Sequence, residues 1–240
     1  MQQIFSLGSC RLFALLDKCN FNYNHSVNGG NNNNYITYSH STKDILTILN
    51  LMFENIKLKD LNLNISKLKC LFSIGGKRKK MNDKDIYNTS VIENKIFRLK
   101  EEFISSKYVF FEISSIKYLL SNGIYYHHNW TIINEESKIM DYKLLISDLD
   151  KIVDVCNGKK IIFVSHFNYK YSIKNRQFII NTIKDYINNK KNENIFFYDP
   201  SKIVNENLNN ITTDGNHYNK KNIDLVVNDF KIFLKKIINC

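Results

Sequence analysis

Short apolar runs bounded by polar residues recur along the chain, each about the length of a buried β-strand. Four of them are IFSLGS at 4–9, KYVFFEIS at 107–114, KKIIFVSHF at 159–167 and NIFFYDPS at 194–201. Their apolar positions are nearly continuous instead of alternating, which is typical of strands covered on both faces of a sheet. A further run, KCLFSIGG at 69–76, is also a strand candidate.

Apolar residues at helical spacing fill the segments that precede the strand candidates at 107, 159 and 194. These segments read ENKIFRLKEEFISS, YKLLISDLDKIVDVCNG and RQFIINTIKDYINNKKN. Strands that alternate with such helices predict an α/β fold, in which a parallel sheet carries helices on both faces. The final segment, KKNIDLVVNDFKIFLKKIINC, predicts one more helix that packs on the sheet.

The length of 240 residues suits one sizeable core, and we expect a single domain over 1–240. Two segments interrupt the alternation and are predicted to be loop insertions. Residues 20–36 are rich in Asn and Gly, and residues 119–141 are aromatic and polar. Because open parallel sheets bind ligands in loops at the carboxyl ends of their strands, both insertions are candidates for lining a site.

The net charge of +11 is compatible with an anionic partner, but the composition explains it in another way. Only 4 of the 34 basic residues are arginines, and the chain is rich in Asn, Ile, Tyr and Phe as well as Lys. The codons of these residues are rich in A and T, so a biased genome accounts for the charge. Nucleic acid is therefore not the expected partner.

The sequence shows no sign of export or of a membrane span. No apolar stretch approaches the roughly 20 residues that cross a bilayer, and the first residues, MQQIFSLGSC, lack a basic leader. We expect a cytoplasmic protein, and this composition also suits a virus-encoded protein of a host cell. The five cysteines are scattered and never spaced C-x-x-C, so neither a disulfide framework nor a metal site is expected.

Two polar turns carry the residue types that nucleophilic catalysis needs. ITTDGNHYN places Asp214 three positions before His217, a spacing at which a carboxylate can orient an imidazole and leave its Nε2 free to accept a proton. At the other end of the chain, Ser9 and Cys10 follow Gly8 where a strand turns into a helix. The loops after the first and last strands of a doubly wound sheet can rise at the same edge, so we expect these turns to meet.

A strand, Gly-x-nucleophile and a helix near residue 10, followed by Asp-x-x-His near the C-terminus, resemble the SGNH (GDSL-like) hydrolase superfamily. FSLGSCRLFAL and HSTKDILTIL are similar, more narrowly, to its GSCFA-domain and capsular-polysaccharide acetyltransferase-like branch, whose first block reads Gly-Ser-Cys or Gly-Asn-Cys. The resemblance implies a three-layer α/β/α fold around a mostly parallel, flavodoxin-like sheet of five strands.

Aligned on Gly8, the resemblance places the nucleophile on Cys10, with His217 as its base and Asp214 as the residue that orients the imidazole. A thiol at a helix N-terminus has a lowered pKa because of the helix dipole. Two alternatives stay open. Ser9 is the nucleophile, or Cys10 is an ordinary small residue buried beneath the helix.

The family's oxyanion donors are matched less well. In the superfamily, a Gly and an Asn from the second and third blocks act together with the backbone N–H of the nucleophile. Here the third strand ends in EISSIKY, with no Gly-x-Asn-Asp. The candidates for oxyanion or substrate contacts are Gly8, Ser114, Ser115 and His166. Glu112, a charged residue within an apolar strand, is expected to be paired for structural reasons.

These features predict acyl transfer, by an acyltransferase or esterase that acts on O-acyl groups of a carbohydrate or on a small acyl ester. Acetyl-CoA is a compatible donor, because a cysteine nucleophile suits thioesters, and no bound cofactor is expected. The alternative from another class is a non-catalytic, basic α/β domain that binds carbohydrate or nucleic acid through its loops.

Overall fold

The computed structural model describes residues 3–19, 21–23, 39–55, 89–127, 135–207, 211–212, 217–219 and 222–238. The strand candidate at 69–76 lies outside these ranges. The strands are β1 (Gln3–Leu7), β2 (Asn22–Tyr23), β3 (Tyr108–Ile113), β4 (Lys117–Ser121), β5 (Ile124–His127), β6 (Lys138–Ile139), β7 (Lys160–Ser165) and β8 (Ile195–Tyr198). The main helices are α1 (Cys10–Lys18), α2 (Thr42–Met52), α3 (Thr89–Ser105), α4 (Tyr142–Val155), α5 (Lys174–Lys190), α6 (Ser201–Glu206) and α7 (Asp224–Ile238).

The central sheet has the order β2-β1-β3-β7-β8, and every neighbouring pair is parallel. Numbered along the chain, this is the order 2-1-3-4-5 of flavodoxin-like folds. Four of the strands expected from the sequence are present, as β1, β3, β7 and β8, each of four to six residues. The remaining strand of this sheet is the two-residue edge strand β2, which the sequence did not predict. The pairs Leu7 with Phe111 and Ile113 with Ser165 bring the carboxyl ends of β1, β3 and β7 to one edge.

Helices cover both faces of the sheet. Successive residues of a strand point to opposite faces, so each strand packs against both helical layers. Phe110 and Ile162 belong to a buried cluster with residues of α1, α6 and α7, whereas Phe111 and Phe163 belong to a second cluster with residues of α2 to α5. The α/β class and its three layers are therefore confirmed. Among the described helices, none combines the length and apolar composition that crossing a membrane requires.

The predicted loop insertion at 119–141 is wrong over much of its length. β4 and β5 form an antiparallel hairpin, and β6 pairs with the other side of β4. Asn122 and Gly123 form the turn with φ of 50° and 77°, the left-handed values of a type I′ hairpin. Ile124 and Tyr126 are buried in the core cluster that contains α2, so this small sheet extends the hydrophobic core. Residues 128–134 lie outside the described ranges.

The predicted loop at 20–36 is also wrong in one place. Residues Asn22–Tyr23 form β2 and pair in parallel with Gln3 and Ile4 of β1. The edge position explains how so polar a segment can contribute a strand, because only one side of it must be paired. Residues 24–36 lie outside the described ranges.

Gly8 lies where α1 passes closest to β3. A Cβ atom at this position would lie 2.8 Å from Leu12 Cδ2 and 2.9 Å from Glu112 Cβ, closer than van der Waals contact allows. The missing side chain therefore lets the first turn of α1 sit directly against the end of β3.

We expect Gly8→Ala to lower the free energy of unfolding by about 1–3 kcal/mol, because the added methyl forces Leu12 and β3 apart. Urea denaturation followed by circular dichroism measures the change. Gly158→Asn is the matched control, since Gly158 has φ of +80° with open space around it and Asn tolerates that conformation. Equal stability of Gly8→Ala and the wild type would show that the contact relaxes at no cost.

Candidate active site

The first turn of the chain joins β1 to α1 through a buried serine. Ser9 caps α1, and its hydroxyl donates to Glu112 Oε2 at 2.6 Å and accepts from the Arg11 amide at 3.4 Å. The Ser9 amide donates to the same Oε2 at 2.8 Å. This hydroxyl is fully buried and has a structural partner on each side. Cys10 is the first residue of α1, and its side chain lies outside what the structure describes.

Glu112 brings a carboxylate from the middle of the sheet to the N-terminus of α1. It is 1% exposed, and its Oε1 accepts from Arg11 Nε at 3.1 Å. Its Oε2 also accepts from the Leu12 amide at 3.4 Å, in addition to both Ser9 donors. A negative charge is favoured here by the helix dipole and by the unpaired amides of the first turn. The prediction that Glu112 is paired for structural reasons is confirmed.

A histidine that sequence reasoning overlooked lies beside this turn. Ser39 donates its amide to the Gly8 carbonyl at 3.3 Å, which holds the segment before α2 against the end of β1. The next residue, His40, has its Nδ1 at 2.6 Å from Ser114 Oγ, just beyond the end of β3. Both side chains are half-buried. The carboxyl edge of the sheet thus holds a hydrogen-bonded serine and histidine.

Ser114 and Ser115, the predicted oxyanion donors, already have hydrogen-bond partners. The amides of both residues donate to the His40 carbonyl oxygen, each at 2.8 Å. The Ser115 hydroxyl accepts from the Lys117 amide at 2.9 Å, and the Ser114 hydroxyl faces His40. Neither amide is therefore available to an oxyanion in this structure, because each already has a carbonyl partner.

The peptide of His40 is fixed from the other side by the N-terminus of α2. Asp44 Oδ2 accepts from the His40 amide at 3.0 Å and from the Ser41 amide at 3.2 Å, while Ser41 Oγ accepts from the Asp44 amide at 3.2 Å. This is a capping box, which satisfies the free amides of the helix start. Burial raises the pKa of Asp44 to about 6, although these hydrogen bonds favour its charged form.

His166 follows β7, and the register that ends with Ile113 opposite Ser165 sets it beside Ser114. Its Nδ1 lies 2.9 Å from the Phe167 carbonyl oxygen, which can only accept, so Nδ1 carries the proton of the neutral ring. Burial and the nearby guanidinium groups of Arg11 and Arg176 hold the pKa of His166 well below its usual range. Nε2 is then a bare lone pair, and no described residue lies within hydrogen-bond distance of it.

Two of the four arginines of the chain lie at this edge. Arg176 of α5 donates to the Phe167 carbonyl oxygen at 3.1 Å. Its pKa is lowered to about 10, chiefly by burial and secondarily by the charge of Arg11, while Glu112 raises it. With His166 neutral, the described charges at this edge are those of Arg11, Arg176, Glu112 and Asp44. Among the described residues, no group of His, Cys, Asp and Glu is arranged to hold a metal ion.

The last turn of the chain reaches the same edge. Thr212 and Tyr218 form an antiparallel bridge, and the Tyr218 ring lies 5.3 Å from the ring of Phe167. His217, next to Tyr218, is exposed. Asp214 lies outside the described residues, so its predicted role of orienting His217 stays a prediction. The predicted pairing of His217 with Cys10 also stays a prediction, because the Cys10 side chain is not described.

The sequence reasoning missed Arg11, His40 and Arg176. The arginines gave one weak signal, because they are rare in this lysine-rich chain and Arg is suited to buried ion pairs. His40 is the first residue of HSTKDILTIL, a segment whose pattern indicates a family resemblance but no role for the histidine. Its contact with Ser114 spans 74 residues and leaves no trace in local spacing.

Comparison with known proteins finds similarity to solved structures only. No protein-family model matches the chain, and no curated protein matches it. A crystal structure described as a carbohydrate esterase family 3 from Talaromyces cellulolyticus is similar over 100% of this chain and 99% of that one, with a TM-score of 0.45 and 10% sequence identity. At this TM-score the similarity describes general shape and carries no argument about activity.

We expect Glu112→Gln to lower the free energy of unfolding by about 3 kcal/mol or more, because Arg11 then faces a neutral amide in a buried place. Urea denaturation provides the measurement. Glu206→Gln is the matched control, since Glu206 is exposed and lies 3.9 Å from Lys202, and its loss is expected to cost less than about 0.5 kcal/mol. Equal effects of the two substitutions would contradict the assigned importance of Glu112.

The raised pKa of Asp44 predicts a pH dependence of stability with a definite sign. The folded state binds this proton more tightly than the unfolded state, whose Asp has a pKa of about 3.9. The stabilising contribution is therefore complete below about pH 4 and is lost as the pH rises through about 6.

We expect the wild type to gain up to about 3 kcal/mol relative to Asp44→Asn between pH 7 and pH 4. Denaturation curves at both pH values give the comparison. Asp141→Asn, which replaces the aspartate at the exposed N-cap of α4, is the matched control. A pH-independent difference between the wild type and Asp44→Asn would refute the assignment.

Proposed function

We propose that the chain is an acyl-transfer enzyme that acts on O-acyl groups of a carbohydrate or on a small acyl ester. In this proposal Cys10 is the nucleophile, His217 is its general base and Asp214 orients the imidazole. The carbohydrate part of the proposal rests on the resemblance of FSLGSCRLFAL and HSTKDILTIL to the SGNH superfamily and its GSCFA-like branch.

The proposal is supported by contacts that hold the first turn and the residues flanking the last turn near the same edge of the sheet. The first turn is held at the ends of β1 and β3 by the contacts of Ser9 with Glu112. The last turn is held near the end of β7 by the packing of Tyr218 on Phe167. Neighbouring strands lie about 4.8 Å apart, so the ends of β1, β3 and β7 span only about 10 Å.

The contacts of Ser9 favour Cys10 as the nucleophile. Attack by Ser9 would require its hydroxyl to leave Glu112 and come out of the core, whereas Cys10 begins α1 at the point where the dipole favours a thiolate. The other thiols that the structure describes lie in environments that disfavour the thiolate. Burial raises the pKa of Cys19 to about 11 and that of Cys156 to about 12, so both stay protonated at neutral pH.

The proposed reaction has two steps. The Cys10 sulfur attacks the acyl carbonyl, its proton passes to His217, and the leaving alcohol takes that proton as the ester bond breaks. Water or a sugar hydroxyl then attacks the thioester, releasing the thiol with the acyl group on the new oxygen. An esterase and an acyltransferase differ only in the acceptor of this second step. Acetyl-CoA suits the first step as a thioester donor.

Incubation with p-nitrophenyl acetate is expected to place one acetyl group on Cys10, detected by intact-mass measurement and peptide mapping. His217→Asn should let this adduct accumulate, because deacylation then lacks its base. Cys10→Ala should lower the rate of p-nitrophenol release on the order of a thousandfold or more.

Cys19→Ser is the matched control and should acylate as the wild type does, since its thiol is half-buried and protonated. An acetyl group found on other cysteines alone, or an undiminished rate in Cys10→Ala, would overturn the assignment of Cys10.

A further inference from the structure

We propose that Ser114 and His40 form a second nucleophile–base pair at the carboxyl end of β3, one that takes an acyl group on the Ser114 hydroxyl. The pair would use the activated esters of the proposed function, but it requires neither Cys10 nor His217. It lies at the same sheet edge as those residues.

The first argument is the contact itself. Ser114 Oγ and His40 Nδ1 are 2.6 Å apart, within the range in which a base can remove a hydroxyl proton. Both residues are half-buried, so each keeps part of its surface exposed to solvent. In this respect Ser114 differs from Ser9, whose hydroxyl is fully buried and donates to a carboxylate.

The second argument is that the backbone holds the pair rigid. The His40 carbonyl accepts the amides of Ser114 and Ser115 at 2.8 Å, and the His40 amide donates to Asp44 at 3.0 Å. The base and the hydroxyl are thus tied to each other by main-chain bonds as well as by the side-chain contact. Such preorganisation lowers the activation barrier, because the reacting groups already lie in the required geometry before the reaction begins.

The third argument is the charge around the pair. A tetrahedral intermediate on Ser114 would carry a negative oxygen, and the amides of Ser114 and Ser115 are already engaged. Arg11 and Arg176 place two positive charges at this edge, where the described carboxylates of Glu112 and Asp44 also lie. A guanidinium group that reaches the acyl oxygen would stabilise the negative charge that develops there.

The proposed acyl transfer needs only Ser114, His40, the ester and water. Ser114 Oγ bonds to the acyl carbon, its proton moves to His40 Nδ1, and the proton then goes to the departing alkoxide as the ester C–O bond breaks. Water repeats the sequence in reverse and releases a carboxylic acid. With a fluorophosphonate probe, Ser114 Oγ bonds to phosphorus, the P–F bond breaks, and fluoride leaves with the proton.

The test uses a fluorophosphonate on the full-length protein, because this probe reports activated serine hydroxyls, followed by peptide mapping. We expect a single phosphonyl group on Ser114 in the wild type and at the same rate in Cys10→Ala. Ser114→Ala should abolish the label, and His40→Gln should slow it about a hundredfold.

Ser105→Ala is the matched control, since Ser105 is exposed and donates only to a helix carbonyl, that of Glu102 at 3.1 Å. Ser114→Thr, which keeps a hydroxyl beside His40, retains measurable label if Ser114→Ala proves unstable. Acetylation of Cys10 without phosphonylation of Ser114 would overturn the pair and leave the proposed function intact. Labelling of Ser114 at an equal rate in His40→Gln would also overturn it.

Discussion

The carboxylate of Glu112 is the interaction on which the geometry of the sheet edge depends. A buried charge costs several kcal/mol unless it is paired and hydrogen-bonded. Here the guanidinium of Arg11 and three donors from Ser9 and Leu12 satisfy it. Because these donors belong to the first turn of α1, the bonds that stabilise the charge also fix the direction in which α1 leaves β1. The position of Cys10 follows from them.

A second set of buried polar contacts positions α2 in the same manner. Lys43 Nζ lies 2.7 Å from Asp148 Oδ1 and 4.9 Å from the centre of the Tyr125 ring, and Thr42 Oγ1 donates to Asp148 Oδ2 at 2.8 Å. These contacts join α2 to α4 and to the β4–β5 hairpin. The segment that carries His40 is therefore held from three sides, and the edge of the sheet is rigid where the chemistry is proposed.

Local sequence signals predicted much of the fold. The two predicted loop insertions were each wrong in part, for different reasons. The hairpin had a clear signal, since Asn122-Gly123 between apolar runs is the dipeptide that a type I′ turn prefers. Its aromatic and polar composition concealed that signal. β2 had no such signal, because Asn22 and Tyr23 form a strand only through their pairing with β1. Whether a two-residue edge segment forms a strand depends on its pairing with the neighbouring strand.

The sequence by itself determined the alternation of helices and strands, and with it the parallel sheet, because apolar periodicity is a local property of the chain. It also marked Gly8 as the end of the first strand and Glu112 as a charge that needed a partner. Only the tertiary structure decided which residues meet. Ser9 and Glu112 are 103 positions apart, and His40 and Ser114 are 74 apart. Such hydrogen bonds arise from strand order and register, which fix distances in space that spacing along the chain does not encode.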